Sequence, residues 1–187
     1  AAVLLVPPAR EPLTLADAKA YLRVEHDDDD DLVATLTSSA RAEVEARTRR
    51  ALLTQRWRVV LDAWPADGRI VVNPSPVREV VAARVYDESG TPAAIDTQIF
   101  VVDPAAAPGI VSLPPWAAPM PGRMAAGIEI DIECGYGDTA ADVPPPLVEA
   151  VRLLLAHAYE HRGLSGPADA APARIAGLVA PFRAVTL

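Results

Sequence analysis

The stretch LTLADAKAYLRVEHDDDDDLVATLTSSARAEVEARTRR, from Leu13 to Arg50, predicts two helices separated by a run of aspartates. Thr14 is a suitable N-cap, and Asp17 follows three residues later in a variant of the capping box, so a short helix is expected over residues 15–23. Apolar residues recur at helical spacing after the aspartates, which predicts a longer helix over residues 29–50. The first turn of this helix is acidic and its last turn is basic, which suits the helix dipole at both ends.

The aspartate run directly follows His26, so a metal site or a hydrolytic site has to be considered. The run consists of Asp27, Asp28, Asp29, Asp30 and Asp31. A metal site needs carboxylates that converge, but neighbouring helical residues point about 100° apart. The run also lacks the spaced ligands, central glycine and terminal glutamate of an EF-hand loop. We therefore predict that the aspartates cap and charge a helix N-terminus and form no strong metal site.

Composition limits the classes of protein that fit. The 187 residues suggest one domain, or one domain with appendages, and the net charge of −8 argues against a free-standing nucleic-acid binder. An acidic wall would still suit a protein past which DNA slides, because it repels phosphates. The single cysteine, Cys134, excludes an internal disulfide. The apolar N-terminal segment has no basic leader and is broken by Pro7 and Pro8, so we expect a soluble, non-secreted protein without a membrane span.

The middle of the chain changes to a period of two and predicts an antiparallel sheet over residues 55–134. Its predicted strands are 55–61, 77–87, 97–103, 109–113 and 127–134, with proline-rich loops at 103–109 and 114–122. In the last strand, Ile128, Ile130 and Ile132 share one face, and the acids between them share the other.

Three prolines at 144–146 begin a last long helix, expected over residues 146–162, because proline suits a first turn. We predict one domain over residues 1–163, a linker over 164–173 and a tail over 174–187. The fold class is α+β. A helical layer comes from two N-terminal helices and one long C-terminal helix, with an antiparallel β-sheet insertion and a mobile C-terminal tail.

The sequence HAYEH fits the inverted zinc-protease pattern, with His157, Glu160 and His161 as its members. A catalytic zinc needs three protein ligands, and the residues that follow contain no further histidine and one acid, Asp169. A helix C-terminus with favourable cationic side chains explains the histidines better. A zinc-dependent hydrolase is therefore the weaker alternative.

The sequence CGYGDTA fits a loosened dinucleotide-binding pattern at Gly135, Gly137 and Ala140. That pattern requires a helix N-terminus inside the motif, but the prolines delay the helix and no second β-α-β unit follows. We predict a glycine turn between a strand and a helix. No catalytic residue, metal or cofactor is predicted, and we expect that the protein is not an enzyme.

The tail carries an apolar stripe formed by Ile175, Leu178, Val179 and Phe182 at helical spacing. Pro181 should break a long helix here. A stripe of this kind on a linker either folds back on its own domain or inserts into the groove of a partner. The residues alone leave both outcomes open.

Three segments, in order, resemble the head–tail connector family of tailed phages, prophages and gene-transfer agents. The first runs from PLTLADAK through the aspartates to TRR and QRW, the second is GYGD with VPPP and the HAYEH helix, and the third is LVAPFR. Arg49 departs from the pattern, because many members have glycine after the threonine. This difference bears on a helix end only.

The resemblance implies a structural adaptor that catalyses no reaction and needs no cofactor. Copies form a ring of twelve beneath the portal protein, provide a platform for a downstream stopper or tail protein, and let DNA pass through without specific binding. The site is the head–tail junction of the virion or phage-like particle, reached from the host cytoplasm during assembly.

The resemblance also implies contacts for particular residues. The tail reaches the portal, so Ile175, Leu178, Val179 and Phe182 are predicted to bind it, and Arg183 is predicted to meet a carboxylate there. The aspartate run faces the channel, or else lies on the outside of the ring or at a subunit contact.

Overall fold

The fold comes from a computed structural model that describes residues 1–114, 116–161 and 173–184, with the backbone alone at Ala173. Residues 164–172 of the predicted linker lie outside the described residues. The chain divides into two compact units. The β unit is built mainly from Ala1–Pro8 and Thr54–Gly135, and the helical unit from Ala9–Leu53 and the described part of Tyr136–Arg183. The predicted limits of domain, linker and tail stay predictions.

The helical unit contains four α-helices. They are α1 (Leu15–Leu22), α2 (Asp30–Thr48), α3 (Pro145–Glu160) and α4 (Ala173–Val179), and a 3-10 turn at Ala180–Phe182 follows α4. The three helices predicted from the sequence are confirmed to within two residues at each end. The capping of α1 is also as predicted, because the Thr14 hydroxyl oxygen accepts a hydrogen bond from the Asp17 backbone N–H at 3.1 Å.

The apolar faces of these helices form one core. Helix α2 packs on α3, α1 contacts both, and α4 packs mainly on α3. Fully buried members of this core are Val33 and Val44 of α2, Leu147, Val151 and Leu155 of α3, and Ile175 of α4. Burial of each such side chain contributes roughly 1.5–3 kcal/mol relative to exposure.

Both N-terminal helices end on an arginine in the left-handed backbone conformation. Arg23 follows α1 with φ 58°, and Arg49 follows α2 with φ 56°. Glycine adopts this conformation without a Cβ penalty and is the usual residue there. The departure noted at Arg49 therefore falls where a glycine would fit the backbone better.

Eight strands lie in the described part of the β unit. They are β1 (Ala2–Val6), β2 (Gln55–Leu61), β3 (Arg69–Val72), β4 (Val77–Tyr86), β5 (Pro92–Ile95), β6 (Val101–Asp103), β7 (Gly109–Ser112) and β8 (Ile128–Cys134). A five-stranded sheet has the order β1-β2-β8-β4-β5, and a three-stranded sheet has the order β3-β7-β6. Every pairing is antiparallel.

The antiparallel β region is confirmed, but its details correct the sequence prediction. There are two sheets instead of one, and β1, β3 and β5 were not predicted. Residues Thr97–Ile99, predicted as part of a strand, form a 3-10 turn whose start is capped by the Asp96 side chain. The apolar N-terminal segment is the edge strand β1, and all five of its residues are exposed.

The central strand β8 shows the predicted alternation. Ile128, Ile130 and Ile132 are at most 1% exposed and belong to the core of the β unit. Strand β4 of the larger sheet contacts β6 and β7 of the smaller one. Within the described residues, no helix is long and apolar enough to cross a membrane.

Candidate assembly surfaces

The aspartate run forms the turn between α1 and α2, and Lys19 holds it in place. The Lys19 ammonium lies 2.6 Å from a carboxylate oxygen of Asp27 and 2.6 Å from one of Asp30. Lys19 is the only lysine in the chain. Its hydrogen bonds to the two aspartates raise the pKa of Lys19, and the bond from Lys19 lowers the pKa of Asp27. One cation thus fixes the two ends of the acidic turn.

The predicted capping role of the aspartates needs a correction. Asp29 occupies the N-cap position of α2, but its side chain makes no capping hydrogen bond to the helix. Its carboxylate instead accepts a hydrogen bond from the Tyr159 hydroxyl of α3 at 2.6 Å. Asp30 and Asp31 lie in the first turn, where negative charge suits the helix dipole. The sequence showed the charge but not its partners, Lys19 and Tyr159.

The outer surface of the turn stays open to solvent. The Asp28 side chain is 96% exposed and that of Asp27 is 87% exposed, and Asp31 is also exposed. One Asp28 carboxylate oxygen lies 4.0 Å from Nδ1 of His26. The turn therefore presents a negative surface that another molecule or another subunit could meet.

The tail folds back on the helical unit in this chain. Ile175 is 0% exposed and Val179 is 4% exposed, and both belong to the helical core. Leu178 and Phe182 are partly buried against that core, and Arg183 is exposed. Of the five residues predicted to contact a partner, only Leu178, Phe182 and Arg183 offer accessible side-chain surface while α4 stays packed. Partner binding by the tail remains a prediction.

The outer face of the five-stranded sheet carries an ion-pair network that the sequence reading did not find. Asp131 of β8 accepts two hydrogen bonds from Arg58 of β2, at 2.7 and 3.0 Å, and one from Arg84 of β4 at 2.9 Å. Glu129 lies 3.3 Å from Arg58 and 3.2 Å from Arg84. The alternation of acids in β8 was visible, but only the strand order brings the two arginines to them.

The network affects the ionisation of Asp131, whose side chain is 9% exposed. Burial raises the pKa of this carboxyl group, but the hydrogen bonds and charges of Arg58 and Arg84 outweigh burial, so the net pKa is lowered. Asp131 therefore stays ionised and ties three adjacent strands together.

Exposed large apolar side chains are concentrated in the β unit. Among the described residues, Trp116 is 85% exposed, Met120 72% and Met124 97%, all in the loop between β7 and β8. Solvent-exposed aromatic and methionine side chains on one segment are typical of protein interfaces. The sequence marked residues 114–122 as a proline-rich loop but gave no sign of how exposed these side chains are.

The HAYEH residues do not form a metal centre. His161 Nδ1 lies 2.8 Å from the carbonyl oxygen of His157, and the two rings are tilted by 36° with their centroids 4.3 Å apart. Glu160 is exposed at the end of α3. Within the described part of the chain, no group of three His, Cys, Asp or Glu residues could hold a metal ion. The hydrolase alternative is not supported.

The glycine-rich segment after β8 is a turn, as predicted. Gly135 has φ 127°, and a Cβ on Gly137 would lie 2.4 Å from the Asp142 side chain. Asp142 forms a capping box with Thr139 at the start of a 3-10 turn that precedes α3. Cys134 is buried, and burial raises the pKa of its thiol to about 12.

Two of three comparisons with known proteins gave matches. A sequence comparison with curated proteins found no significant match. The chain is similar to a protein in "Neck of empty GTA particle computed with C6 symmetry", with a TM-score of 0.86 and 26% identity over 100% of this chain and 97% of that one.

Two related structures also match at 26% identity. "Virion of native gene transfer agent (GTA) particle" matches with a TM-score of 0.80 over 100% of this chain and 96% of that one. "Neck of native GTA particle computed with C12 symmetry" matches with a TM-score of 0.72 over 98% and 97%. The family model described as "Phage gp6-like head-tail connector protein" matches residues 12–98, which include the aspartate turn, α2 and the first strands of the β region. The chain therefore resembles the phage gp6-like head–tail connector family over residues 12–98 and proteins of gene-transfer-agent particles over nearly its whole length.

Proposed function

We propose that this chain is a structural subunit of the head–tail junction of a phage or phage-like particle, where copies of it form a ring around the DNA path. The observation that carries the proposal is the similarity of the whole chain to proteins of gene-transfer-agent necks, which were computed with C6 and C12 symmetry. A ring of identical subunits needs two different surfaces that meet head to tail and a rotation that completes a circle. Twelve copies correspond to a rotation of about 30° each.

Neighbours above and below the ring follow from this location. The portal protein of the DNA-filled head lies on one side, and a stopper or tail protein lies on the other. Leu178, Phe182 and Arg183 are the accessible tail residues and form the portal contact. For Ile175 and Val179 to join that contact, α4 has to leave the helical core in which both are buried.

The acidic surface suits a channel through which DNA moves without being held. Binding of DNA gains free energy when basic side chains displace counterions from phosphates, and a carboxylate surface offers no such gain. The net charge of −8 and the exposed aspartate turn fit this requirement. The aspartates face the channel in this proposal, and the alternative positions are the outside of the ring and a subunit contact.

The family is structural, and we propose that the chain catalyses no reaction. The hydrolase alternative requires one zinc ion per chain and its loss in His157→Ala. Metal analysis of the purified protein checks this directly. Stoichiometric zinc that disappears in the variant would contradict a purely structural role.

Electron microscopy of portal-bearing heads mixed with the purified chain tests the main proposal. A ring of density beneath the portal is expected, and deletion of the chain should leave heads without tails. A chain that stays monomeric and leaves the portal bare would overturn the proposal.

A double charge reversal tests the position of the aspartate turn. Asp28→Lys with Asp31→Lys keeps both Lys19 ion pairs and reverses two exposed charges. If the turn faces the channel, DNA release from particles should slow and should recover in high salt. Asp67→Lys with Glu88→Lys, two exposed acids of the β unit, is the matched control. Unchanged release in both variants would place the aspartates elsewhere.

A further inference from the structure

The loop between β7 and β8 is fixed by hydrogen bonds although its largest side chains are exposed. The Trp64 indole N–H donates to the carbonyl oxygen of Pro119 at 2.9 Å, and the Gly122 N–H donates to that of Tyr86 at 2.9 Å. A Cβ on Gly122 would lie 2.4 Å from the backbone nitrogen of Glu88, so the loop lies directly against the strand end. These contacts hold the loop backbone at Pro119 and Gly122.

Two further contacts fix the end of the loop. The Ala126 N–H donates to the Asp62 carboxylate at 2.8 Å, and the Arg123 guanidinium lies 4.4 Å from the centre of the Tyr86 ring. None of these contacts buries Trp116, which is 85% exposed, and Met124 is 97% exposed. An apolar side chain on a backbone that is already ordered loses little conformational entropy on binding. Tryptophan is also the residue type most enriched among energetically dominant interface contacts.

The helical unit offers an apolar cavity of about 330 Å³ that suits a single large side chain. The cavity lies where the chain enters α1, beside α2, and its apolar walls come from Leu13, Leu15 and Ala34. Its volume is at the small end of the range for ligand sites, and only Arg10 and Glu11 bring charge to it. Those features favour an apolar anchor over a cofactor.

The charged residues of the cavity also fit an aromatic occupant. Glu11 is engaged by Arg41, whose Nε lies 2.8 Å from the Glu11 carboxylate. Arg10 is exposed, so its guanidinium can lie over the face of an indole ring, an attraction of the cation–π type. Leu15, 39% exposed, would lose its contact with water when the cavity is filled.

We propose that Trp116 of one copy inserts into this cavity of the next copy in the ring. The inference rests on the ring proposed above and identifies the two surfaces that meet. The loop belongs to the β unit and the cavity to the helical unit, so every copy presents one anchor and one receptor. Contacts between two different surfaces are those that generate closed rings.

A substitution series on portal-bearing heads tests the anchor. Trp116→Ala is expected to lower ring occupancy about tenfold or more, whereas Trp116→Phe should keep most of it. The matched control is Val101→Ala, which removes another exposed apolar side chain of the β unit, 67% exposed, and should leave occupancy unchanged. All three variants should melt at the wild-type temperature, because neither side chain is part of a core.

Cross-linking between copies tests the receptor while Trp116 stays in place. Ala34→Cys combined with Ala117→Cys should give a ladder of covalent multimers in assembled rings under mild oxidation. Thr35→Cys with Ala117→Cys is the control, since Thr35 is exposed on α2 but points about 100° away from Ala34. Cys134 is buried and need not be replaced.

Each result either supports or overturns the insertion of Trp116 into the cavity of the next copy. Loss of rings in Trp116→Ala together with a ladder from the Ala34 pair supports the inference. Rings at wild-type level in Trp116→Ala, or a bridge confined to single chains, overturns it and leaves the proposed ring intact. Absence of rings with the unmodified chain overturns the proposed function and this inference together.

Discussion

The Arg50 side chain donates a hydrogen bond from Nε to the backbone carbonyl oxygen of Phe182, at 2.6 Å. Arg50 lies just beyond the end of α2, and Phe182 is the last residue of the turn that follows α4. The Arg50 guanidinium also lies 6.0 Å from the centre of the Tyr136 ring. The Arg50 side chain thereby attaches the turn after α4 to the end of α2. This attachment is separate from the apolar packing of α4 against the helical core.

Arg50→Ala should loosen the tail without unfolding the helical unit. Loss of a hydrogen bond from a charged donor costs about 1–2 kcal/mol. Amide hydrogen exchange should therefore speed up in residues 174–179, while the amides of α3 keep their protection. Arg47→Ala is the matched control, because Arg47 pairs with Glu43 on its own helix. Equal protection of the tail in both variants would contradict the attachment.

Ile175→Ala should have the larger effect on folding stability, and Leu178→Ala should have the larger effect on portal binding if α4 stays packed. Ile175 is fully buried, so its truncation should lower the free energy of unfolding by about 2–4 kcal/mol, as seen by denaturant titration. Leu178 is only partly buried and should cost less than about 1 kcal/mol.

If α4 stays packed against the core, Leu178→Ala should bind the portal more weakly than Ile175→Ala does. A stronger binding defect in Ile175→Ala, beyond its loss of stability, would show that α4 leaves the core in the assembled particle. Removal of everything after Pro172 mixes both effects, because it also deletes Ile175 and Val179 from the core.

Lys19→Ala should destabilise the protein over a defined range of pH. Lys19 lowers the pKa of Asp27 in the folded protein. The stabilisation that comes from Asp27 is therefore complete above its ordinary pKa of 3.8, and it is lost as the pH falls through the lower pKa of the folded state. The pKa of Lys19 is raised above 10.5, so its part is present below 10.5 and is lost as the pH rises through the higher folded value. Urea titrations should separate variant from wild type at pH 7, and the difference should shrink as the pH falls below 3.8. Arg23→Ala, an exposed cation nearby, should show no such pH dependence.

Arg49→Gly should stabilise the chain by roughly 1 kcal/mol. Arg49 has φ 56°, where a side chain is strained and glycine is not. Arg47→Gly, two residues earlier inside α2, should instead destabilise by about 1 kcal/mol. Thermal unfolding of the two variants beside wild type measures the difference, and a lower melting temperature for Arg49→Gly would show that contacts of the arginine outweigh the strain.

Asp131→Asn should weaken the β unit by roughly 2–3 kcal/mol, because it removes the more buried of the two carboxylates that Arg58 and Arg84 share. The lowered pKa of Asp131 means that its stabilisation is complete above about pH 4 and is lost as the pH falls through the folded value. The difference between variant and wild type should therefore shrink in acid. Glu133→Gln is a milder control, since its ion pair with Arg78 is longer, at 3.6 Å.

Much of the fold could be predicted because its signals are local. Thr14 and Asp17 mark the start of α1, helical spacing marks α2 and α3, and the alternation around Ile130 marks β8. These patterns depend on residues that are close in sequence. The missed strands lack such a signal: β1 is uniformly apolar and exposed on an edge, and β3 and β5 have four residues each.

The partners of the charged residues could not be predicted, because they depend on long-range pairing. Asp131 meets Arg58 only because β2 lies beside β8, 73 residues apart in sequence. Tyr159 and Asp29 are 130 residues apart in sequence. Asp29, which was predicted to cap α2, instead accepts a hydrogen bond from the Tyr159 hydroxyl of α3. The same limit applies to the tail, where the sequence showed an apolar stripe but not the surface that covers Ile175.

The edge strand β1 has a consequence for the time before assembly. Its residues Ala2–Val6 are all exposed, contain no charge or proline, and have no strand on their outer side within the described residues. Such edges are templates for unwanted strand addition, and proteins ordinarily protect them with lysine, proline or a covering element. Subunits waiting at high concentration are thus at risk of aggregating, and rapid incorporation into particles would be their main safeguard.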